Sequence, residues 1–296
     1  MEGSHERPSN VKPSSLNSNR LITKSLYSIV SKNLSSALIL EDDADWDIHI
    51  RSQLHDLALS TRALIQPLQD DPSSFADPTY PFHDPGSLDG ANLDFENLPR
   101  TILPANSPYG DDWDILWLGY SGMQAWPVQP QTPHGRVIQR NDPTVAEHRY
   151  LKNSYRPHPL SSWPEHTRVV SHVSDPVCIF AYAISQAGAR RLLHQFGLLE
   201  LETPFDVSAR TFCEGTDSRK AHICLTTQPT LFESHRPRGL TNKESDISPQ
   251  EHGDGFKEEA STDSIRWSTR LNMDVFLAPD RDGEKAWIDS FPDTEG

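Results

Sequence analysis

Three adjacent carboxylates, Glu41-Asp42-Asp43, follow directly on the apolar run Ser36–Leu40 (SALIL) and open the segment Glu41–Asp47 (EDDADWD), in which five side chains are acidic. Ionised neighbours at this spacing repel one another and raise each other's pKa, so the cluster costs free energy unless a cation offsets its charge. Ligands that are all oxygen select hard cations, which favours Mg²⁺ or Mn²⁺ over zinc or copper. In α/β sheets ligands bind beyond the carboxyl ends of strands, and this cluster stands at such an end. The same residues also read as a solvated strand-to-helix turn in which one Asp caps the helix that follows, and local pattern alone leaves both readings open. A calcium loop is excluded. Asp43, Asp45 and Asp47 start the EF-hand pattern, but the positions that require Gly and Glu hold Ile48 and Leu54.

The elements that must carry this cluster are read from apolar spacing. Residues 1–20 are rich in Ser, Asn and Pro and are expected to be unstructured. Leu21, Ile22, Leu26, Ile29 and Val30 recur at helical spacing and predict a short amphipathic helix ending near Asn33. Ser36–Leu40 predicts a buried strand. Ile50, Leu54, Leu57, Ala58, Leu64, Ile65 and Leu68 mark one face of a helix, stopped by Pro67 and the Asp70-Asp71-Pro72 run. Residues 70–110 predict a long loop, and Ile115–Leu118 (ILWL) predicts a second buried strand ending at Gly119-Tyr120-Ser121-Gly122. Another loop containing Pro and His runs to about Glu165. Arg168–Ser171 and Val177–Ile184 read as strands. Ser185 fits an N-cap for a helix Gln186–Phe196, with Leu192, Leu193 and Phe196 packing inward and Gly197 as its stop. A short helix over Asp206–Cys213, a strand His222–Thr227 and a helix around Ser264–Phe276 complete the pattern. Strands alternating with helices predict an α/β domain over residues 21–235, followed by a mostly irregular, loose tail over 236–296.

Composition narrows the function classes. The chain has 27 basic and 42 acidic side chains, a formal charge of −15, which argues against a nucleic-acid partner, because phosphate backbones need clustered Lys and Arg. Apolar residues make up 35% and Pro numbers 24, so a folded centre is expected to be diluted by irregular stretches. Cys178, Cys213 and Cys224 show no C-x-x-C spacing, which argues against a disulfide framework or a Cys-rich zinc site. The longest apolar run, Val177–Ile184, falls short of the roughly 18–20 residues needed to cross a bilayer. The first thirty residues lack the basic-then-apolar order of a signal peptide. No transmembrane segment is therefore expected, a cytoplasmic location is the default, and the sequon Asn33-Leu34-Ser35 is expected to be unused.

Taken as ordered blocks, SALILEDDADWD (36–47), WDILWLGYSG (113–122), DPVCIFAYAISQAGARRLL (175–193), TPFD (203–206), QPTLFESHRP (228–237) and ESDI (244–247) resemble the fungal branch of glycosyltransferase family 25. This is the family of lipopolysaccharide-type and procollagen galactosyltransferases, and the match spans roughly residues 34–250 in the family's order. The resemblance implies a GT-A-like fold (a Rossmann-type mixed sheet flanked by helices), a UDP-sugar donor, typically UDP-galactose, a divalent metal, usually Mn²⁺, and inversion at the anomeric carbon. It maps the family's metal motif onto Glu41, Asp42 and Asp43, with Asp43 as direct ligand, Asp42 beside it and Glu41 nearer the ribose. It makes His235 the candidate further metal ligand, against the plainer reading of a solvated loop histidine. Asp206 matches the second acidic motif and becomes the candidate general base for the acceptor hydroxyl, against the plainer reading of a helix cap. Asp246 becomes a candidate donor contact, against a solvated loop carboxylate, and Tyr120 and Ser121 stand where relatives are expected to carry His-Cys. The secretory pathway is a second location open on the same resemblance.

The front of the chain departs from that pattern. A GT-A domain opens with a βαβ unit that binds uridine, and such a unit takes roughly thirty residues or more. Forty residues precede Glu41, twenty of them expected to be unstructured, so the fold is expected to be incomplete at its N-terminus. The sheet should then expose an edge and an apolar face to a partner. The sequence thus supports a metal-dependent inverting glycosyltransferase acting on a glycan or protein hydroxyl, or alternatively an inactive relative that binds a glycan or a protein. A hydrolase fits less well, because neighbours on one strand cannot flank a scissile bond at the roughly 5–9.5 Å that paired carboxylates need.

Overall fold

Alternation in Ile115-Leu116-Trp117-Leu118 organises the molecule. Ile115 and Trp117 belong to one apolar cluster, Leu116 and Leu118 to another. The strand is therefore covered on both faces, which is why it reads as a continuous apolar run. The computed structural model describes residues 13–81, 89–124, 131–155, 158–198, 204–216, 218–241, 255–277 and 286–294 and has a mixed α/β architecture. In chain order its elements are α1 (Pro13–Ser31), β1 (Ser36–Leu40), β2 (Ala44–Trp46), α2 (Ile50–Ile65), β3 (Asn92–Asp94), β4 (Ile115–Gly122), β5 (Arg136–Gln139), β6 (Arg168–His172) and β7 (Val177–Ser185). There follow α3 (Gln186–Leu198), α4 (Phe205–Glu214), β8 (Cys224–Gln228), β9 (Phe232–Arg236), β10 (Gly239–Leu240), β11 (Phe256–Lys257), β12 (Ser261–Thr262) and α5 (Met273–Leu277).

Seven strands form one sheet in the order β1-β7-β4-β8-β6-β5-β3. The β4–β8 and β3–β5 pairs are parallel and the other neighbours antiparallel. A three-stranded sheet, β12-β9-β2, holds the acidic run, and β10 pairs with β11. On one face of the large sheet Leu26 and Ile29 of α1, Leu192 of α3 and Phe212 of α4 pack with Trp117, Tyr182 and Ile184. On the other, Leu57, Leu64 and Ile65 of α2 pack with Leu116, Leu118, Val170 and Leu225. Each such side chain contributes about 1.5–3 kcal/mol through burial. α3 lies so close to the sheet that a Cβ on Gly188 would come within 2.4 Å of the Asp114 carbonyl oxygen. Ser185 caps this helix as its sequence position predicts, its Oγ accepting from the Gly188 amide at 2.9 Å.

Departures from the sequence reading have local reasons. The helix expected from Leu21 begins at Pro13, inside the stretch expected to be unstructured, and residues 1–12 lie outside the described ones. SALIL is a strand but not a buried one. It forms the rim of the sheet, with Leu38 46% and Leu40 38% exposed, and among the described residues β7 is its sole neighbour. β4 continues to Gly122 because register shifts at Gly119 bend the strand without ending it. The two expected loops contain β3 and β5, whose apolar runs are too short to show a period. α3 runs through Gly197 to Leu198, and the side chain of Phe196 lies outside the described residues. The helix expected over Ser264–Phe276 shrinks to α5, the preceding residues being turns that reach back to β2. Cys213 and Cys224 form a disulfide that ties the end of α4 to the start of β8, one bond where the sequence argued against a disulfide framework; Cys178 is free and exposed. Among the described residues no helix is long and apolar enough to cross a membrane.

Candidate functional site

The acidic run divides into an inward and an outward half. Asp45 and Asp47 are 0% and 1% exposed. Asp45 Oδ2 accepts from Thr262 Oγ1 at 2.6 Å and from Ser268 Oγ, and its Oδ1 accepts from the amides of Trp46 at 2.8 Å and Arg270 at 3.1 Å. Asp47 Oδ1 accepts from the His49 amide at 2.8 Å and lies 2.7 Å from His49 Nδ1. Burial pushes the Asp47 carboxyl above its ordinary value, against those hydrogen bonds. These two carboxylates are structural acceptors. Asp47 orders the turn into α2, although the cap position of that helix is His49, with no capping side chain.

Glu41, Asp42 and Asp43 form the outward half. The Glu41 amide donates to the Phe180 carbonyl at 2.8 Å, and the Ala44 amide returns to the Glu41 carbonyl at 3.1 Å, making a tight turn between β1 and β2. The His235 amide holds the Asp43 carbonyl at 2.8 Å. Asp43 Oδ2 lies 3.4 Å from Arg236 Nη1, both side chains being 32% exposed, while its Oδ1 is shielded and has no hydrogen-bond partner among the described residues. Arg270 donates from Nη2 to the Asp42 carbonyl and from Nε to the Ala44 carbonyl at 3.1 Å.

Asp206 reaches the same neighbourhood from the first turn of α4. That helix has Pro204 at its cap position and no capping side chain, so capping is not what Asp206 does. Its charge acts on Glu41, whose carboxyl is raised from 4.5 to about 7. Burial is the largest cause, even though Glu41 stays exposed as a whole residue; the charges of Asp43, Asp42 and Asp206 follow, and Arg236 opposes them. The Tyr182 hydroxyl is shielded, has no hydrogen-bond partner among the described residues, and is pushed upward by burial and then by the Glu41 charge. Glu41, Asp42, Asp43, Asp206, Arg236 and Tyr182 thus share one electrostatic neighbourhood at the rim where β1 ends beside β7.

Other expected residues are placed differently. His235 lies on β9, with Nδ1 2.9 Å from Thr262 Oγ1 and 3.9 Å from Asp45 Oδ2, so this nitrogen faces the inward cluster. Burial lowers its pKa, with Asp45 opposing. Asp246 lies outside the described residues. Tyr120 is buried, its hydroxyl donating to the Thr227 carbonyl at 2.8 Å, which gives it a role in the core. Arg236 and Arg270 were not singled out by sequence. The first sits in the block QPTLFESHRP beside His235, and the second has no local signal, acting on Ala44 from 226 positions away.

Among the described residues no three His, Cys, Asp or Glu side chains form a group that could hold a metal ion. The donors present fit a sparser mode of binding. Mg²⁺ and ions like it are commonly held by one or two carboxylates, with waters and substrate phosphates supplying the remaining oxygens. The unpartnered Oδ1 of Asp43 and the exposed carboxylate of Asp42 make such a partial set. Comparison with protein-family models, curated proteins and solved structures returned no match for this chain.

Proposed function

We propose that the chain is a metal-dependent glycosyltransferase of the GT-A type, moving a sugar, galactose on the sequence resemblance, from a UDP-sugar to a hydroxyl of a glycan or protein. The observation that carries this reading is that the charge of Asp206 acts on Glu41, 165 positions earlier in the chain, where Asp42 and Asp43 also act. Asp42 and Asp43 would hold Mn²⁺ or Mg²⁺, and Glu41, beside them in sequence, would stand nearer the ribose of the donor. A cation bound there supplies positive charge that stabilises the departing diphosphate. Asp206 takes the proton from the acceptor hydroxyl as that oxygen attacks the anomeric carbon from the face opposite the leaving group, which inverts the centre. Arg236 adds a guanidinium at the same rim, suited to bidentate contact with phosphate oxygens.

A second reading, a glycan- or protein-binding module without catalysis, is favoured by one observation. Arg236 already neutralises Asp43, and Arg270 already occupies the Asp42 carbonyl, so protein cations supply the charge a metal would bring. Calorimetric titration of UDP-galactose with and without Mn²⁺, beside Asp43→Asn, separates the two. Metal-dependent donor binding that disappears in the variant supports the transferase. A folded protein that binds neither metal nor donor leaves the binding module.

A further inference from the structure

Away from the acidic rim the charge reverses. In a chain with a formal charge of −15, a cavity of about 530 Å³ is lined by Arg190, Arg191, His194, Arg219, Lys220 and His222. The first three come from α3 and the others from the turn that leads into β8. Two of them are held in place. Arg191 Nη1 lies 2.7 Å from Asp114 Oδ1, a carboxylate that is 1% exposed. The His222 ring stacks on Phe212 at 3.7 Å, and its Nδ1 lies 2.9 Å from the Phe212 carbonyl oxygen.

Asp114 acts on Arg191 and His222 of this wall. Arg190 and Arg219 have no carboxylate partner among the described residues. Gln195 is also on the wall, and its Nε2 is shielded from water and lacks a hydrogen-bond partner among the described residues. Like charges gathered around one concavity repel, and a shielded donor without an acceptor costs free energy, so both features are relieved by the same kind of guest: an anion rich in acceptor oxygens. A single carboxylate would leave most of these donors unused. A phosphate group carries close to two charges and three strong acceptor oxygens, which match the forked guanidinium groups. Cavities of about 300–1,000 Å³ hold small organic ligands.

We propose that this cavity binds the phosphate group of a small phosphate ester, with Arg190, Arg219 and Gln195 as its donors and Arg191 and His222 as a fixed wall. The site is separate from the acidic rim. Arg191 is tied to Asp114, whose carbonyl accepts from the Ser185 amide at 3.0 Å, whereas Glu41 is tied to Phe180 near the other end of β7. The intervening strand measures about 16 Å at about 3.3 Å per residue. The proposal therefore does not depend on the transferase reading.

The test is calorimetric titration of the full chain with inorganic pyrophosphate, free of divalent cations and at fixed ionic strength. The Arg190→Ala/Arg219→Ala pair and the charge-keeping Arg190→Lys/Arg219→Lys pair are run alongside, with circular dichroism to confirm folding. Saturable binding is expected, weakening with salt, reduced by about tenfold or more in the alanine pair and less in the lysine pair. Asp43→Asn should bind pyrophosphate as the parent does, whatever becomes of donor binding at the rim. Co-sedimentation with vesicles containing phosphatidic acid tells a soluble ester from a lipid headgroup, because only the latter carries the chain down with the vesicles. Absence of saturable pyrophosphate binding together with absence of vesicle association, or equal binding by the alanine pair, overturns the proposal.

Discussion

Arg236 Nη1 lies 3.4 Å from Asp43 Oδ2, across 193 positions of sequence, so a cation beside the candidate metal ligand is supplied by the strand that pairs with β2. Both side chains are partly exposed, and a pair of this kind is worth about 0.2–1 kcal/mol. If Asp43 receives a divalent ion, Arg236 competes with it. Arg236→Ala should then tighten binding of Mn²⁺ alone by up to about fivefold, and Asp43→Asn should abolish it. Calorimetry or the Mn²⁺ paramagnetic resonance signal reads both. Unchanged Mn²⁺ affinity in both variants would exclude Asp43 as a ligand.

His172 governs part of the acid response. It is 1% exposed and neither ring nitrogen has a hydrogen-bond partner among the described residues. Burial holds its pKa well below the ordinary 6.5, with Asp77 opposing and His134 adding to the shift. Below pH 6.5 the unfolded chain takes up a proton that the folded chain refuses, so stability falls as pH drops through that range. His172→Phe should flatten this slope in thermal unfolding measured between neutral and mildly acidic pH. Parallel slopes in parent and variant would assign the acid response to other groups.

The Cys213–Cys224 bond closes a loop over a sequence separation of 11 residues. By loop-closure entropy such a link stabilises the fold by about 3 kcal/mol. Cys213 Sγ also takes the Trp117 indole N–H at 3.3 Å, in the centre of the core. Denaturant unfolding with and without reductant should show a loss of that size, and Cys213→Ala/Cys224→Ala should make the reductant ineffective. An identical midpoint with and without reductant would mean the bond adds no stability.

Asp45 supports the acidic turn from inside. Replacing it with Asn exchanges an acceptor oxygen for a donor against Thr262 and Ser268, both of which point hydroxyl hydrogens at it. Loss of a buried charge-assisted acceptor costs about 1.5–3 kcal/mol. Asp45→Asn should therefore lower the unfolding midpoint clearly, while Asp42→Asn, at an exposed position, should hardly move it. Equal midpoints for the two variants would contradict the division of the run into inward and outward halves.

Much of the sheet was legible because its strands and helices carry their own period. Ile115–Leu118, Val177–Ile184 and Gln186–Phe196 were recoverable from continuous apolar runs, residues that suit a pleated sheet and a serine cap. β2 was not, because Ala44-Asp45-Trp46 is short, polar and defined only by its pairing with Phe232–Ser234. SALIL was read as buried because its residues are apolar, and no local pattern distinguishes the rim of a sheet from its middle. The candidate site was half legible. Adjacent carboxylates announce themselves, and TPFD directed attention to Asp206. The sorting of Asp45 and Asp47 inward depends on donors more than two hundred positions away, and no window of sequence contains both partners. The Cys213–Cys224 bond was missed although its partners are only 11 positions apart, because no C-x-x-C spacing marks it and α4 must fold back over β8 before the sulfurs meet.

The partners of Asp45 also set a timetable. During synthesis every strand of the large sheet has emerged by Gln228, whereas Thr262, Ser268 and Arg270 follow later. Contacts of such long separation form slowly. A nascent chain therefore owns its sheet before it owns the turn that presents Glu41, Asp42 and Asp43. A nick in the stretch between β10 and β12, or a ribosome that stalls there, would yield a body with packed helices and an acidic turn that lacks its inner support. The inner support of the acidic turn is thus complete only after every strand of the large sheet has been made.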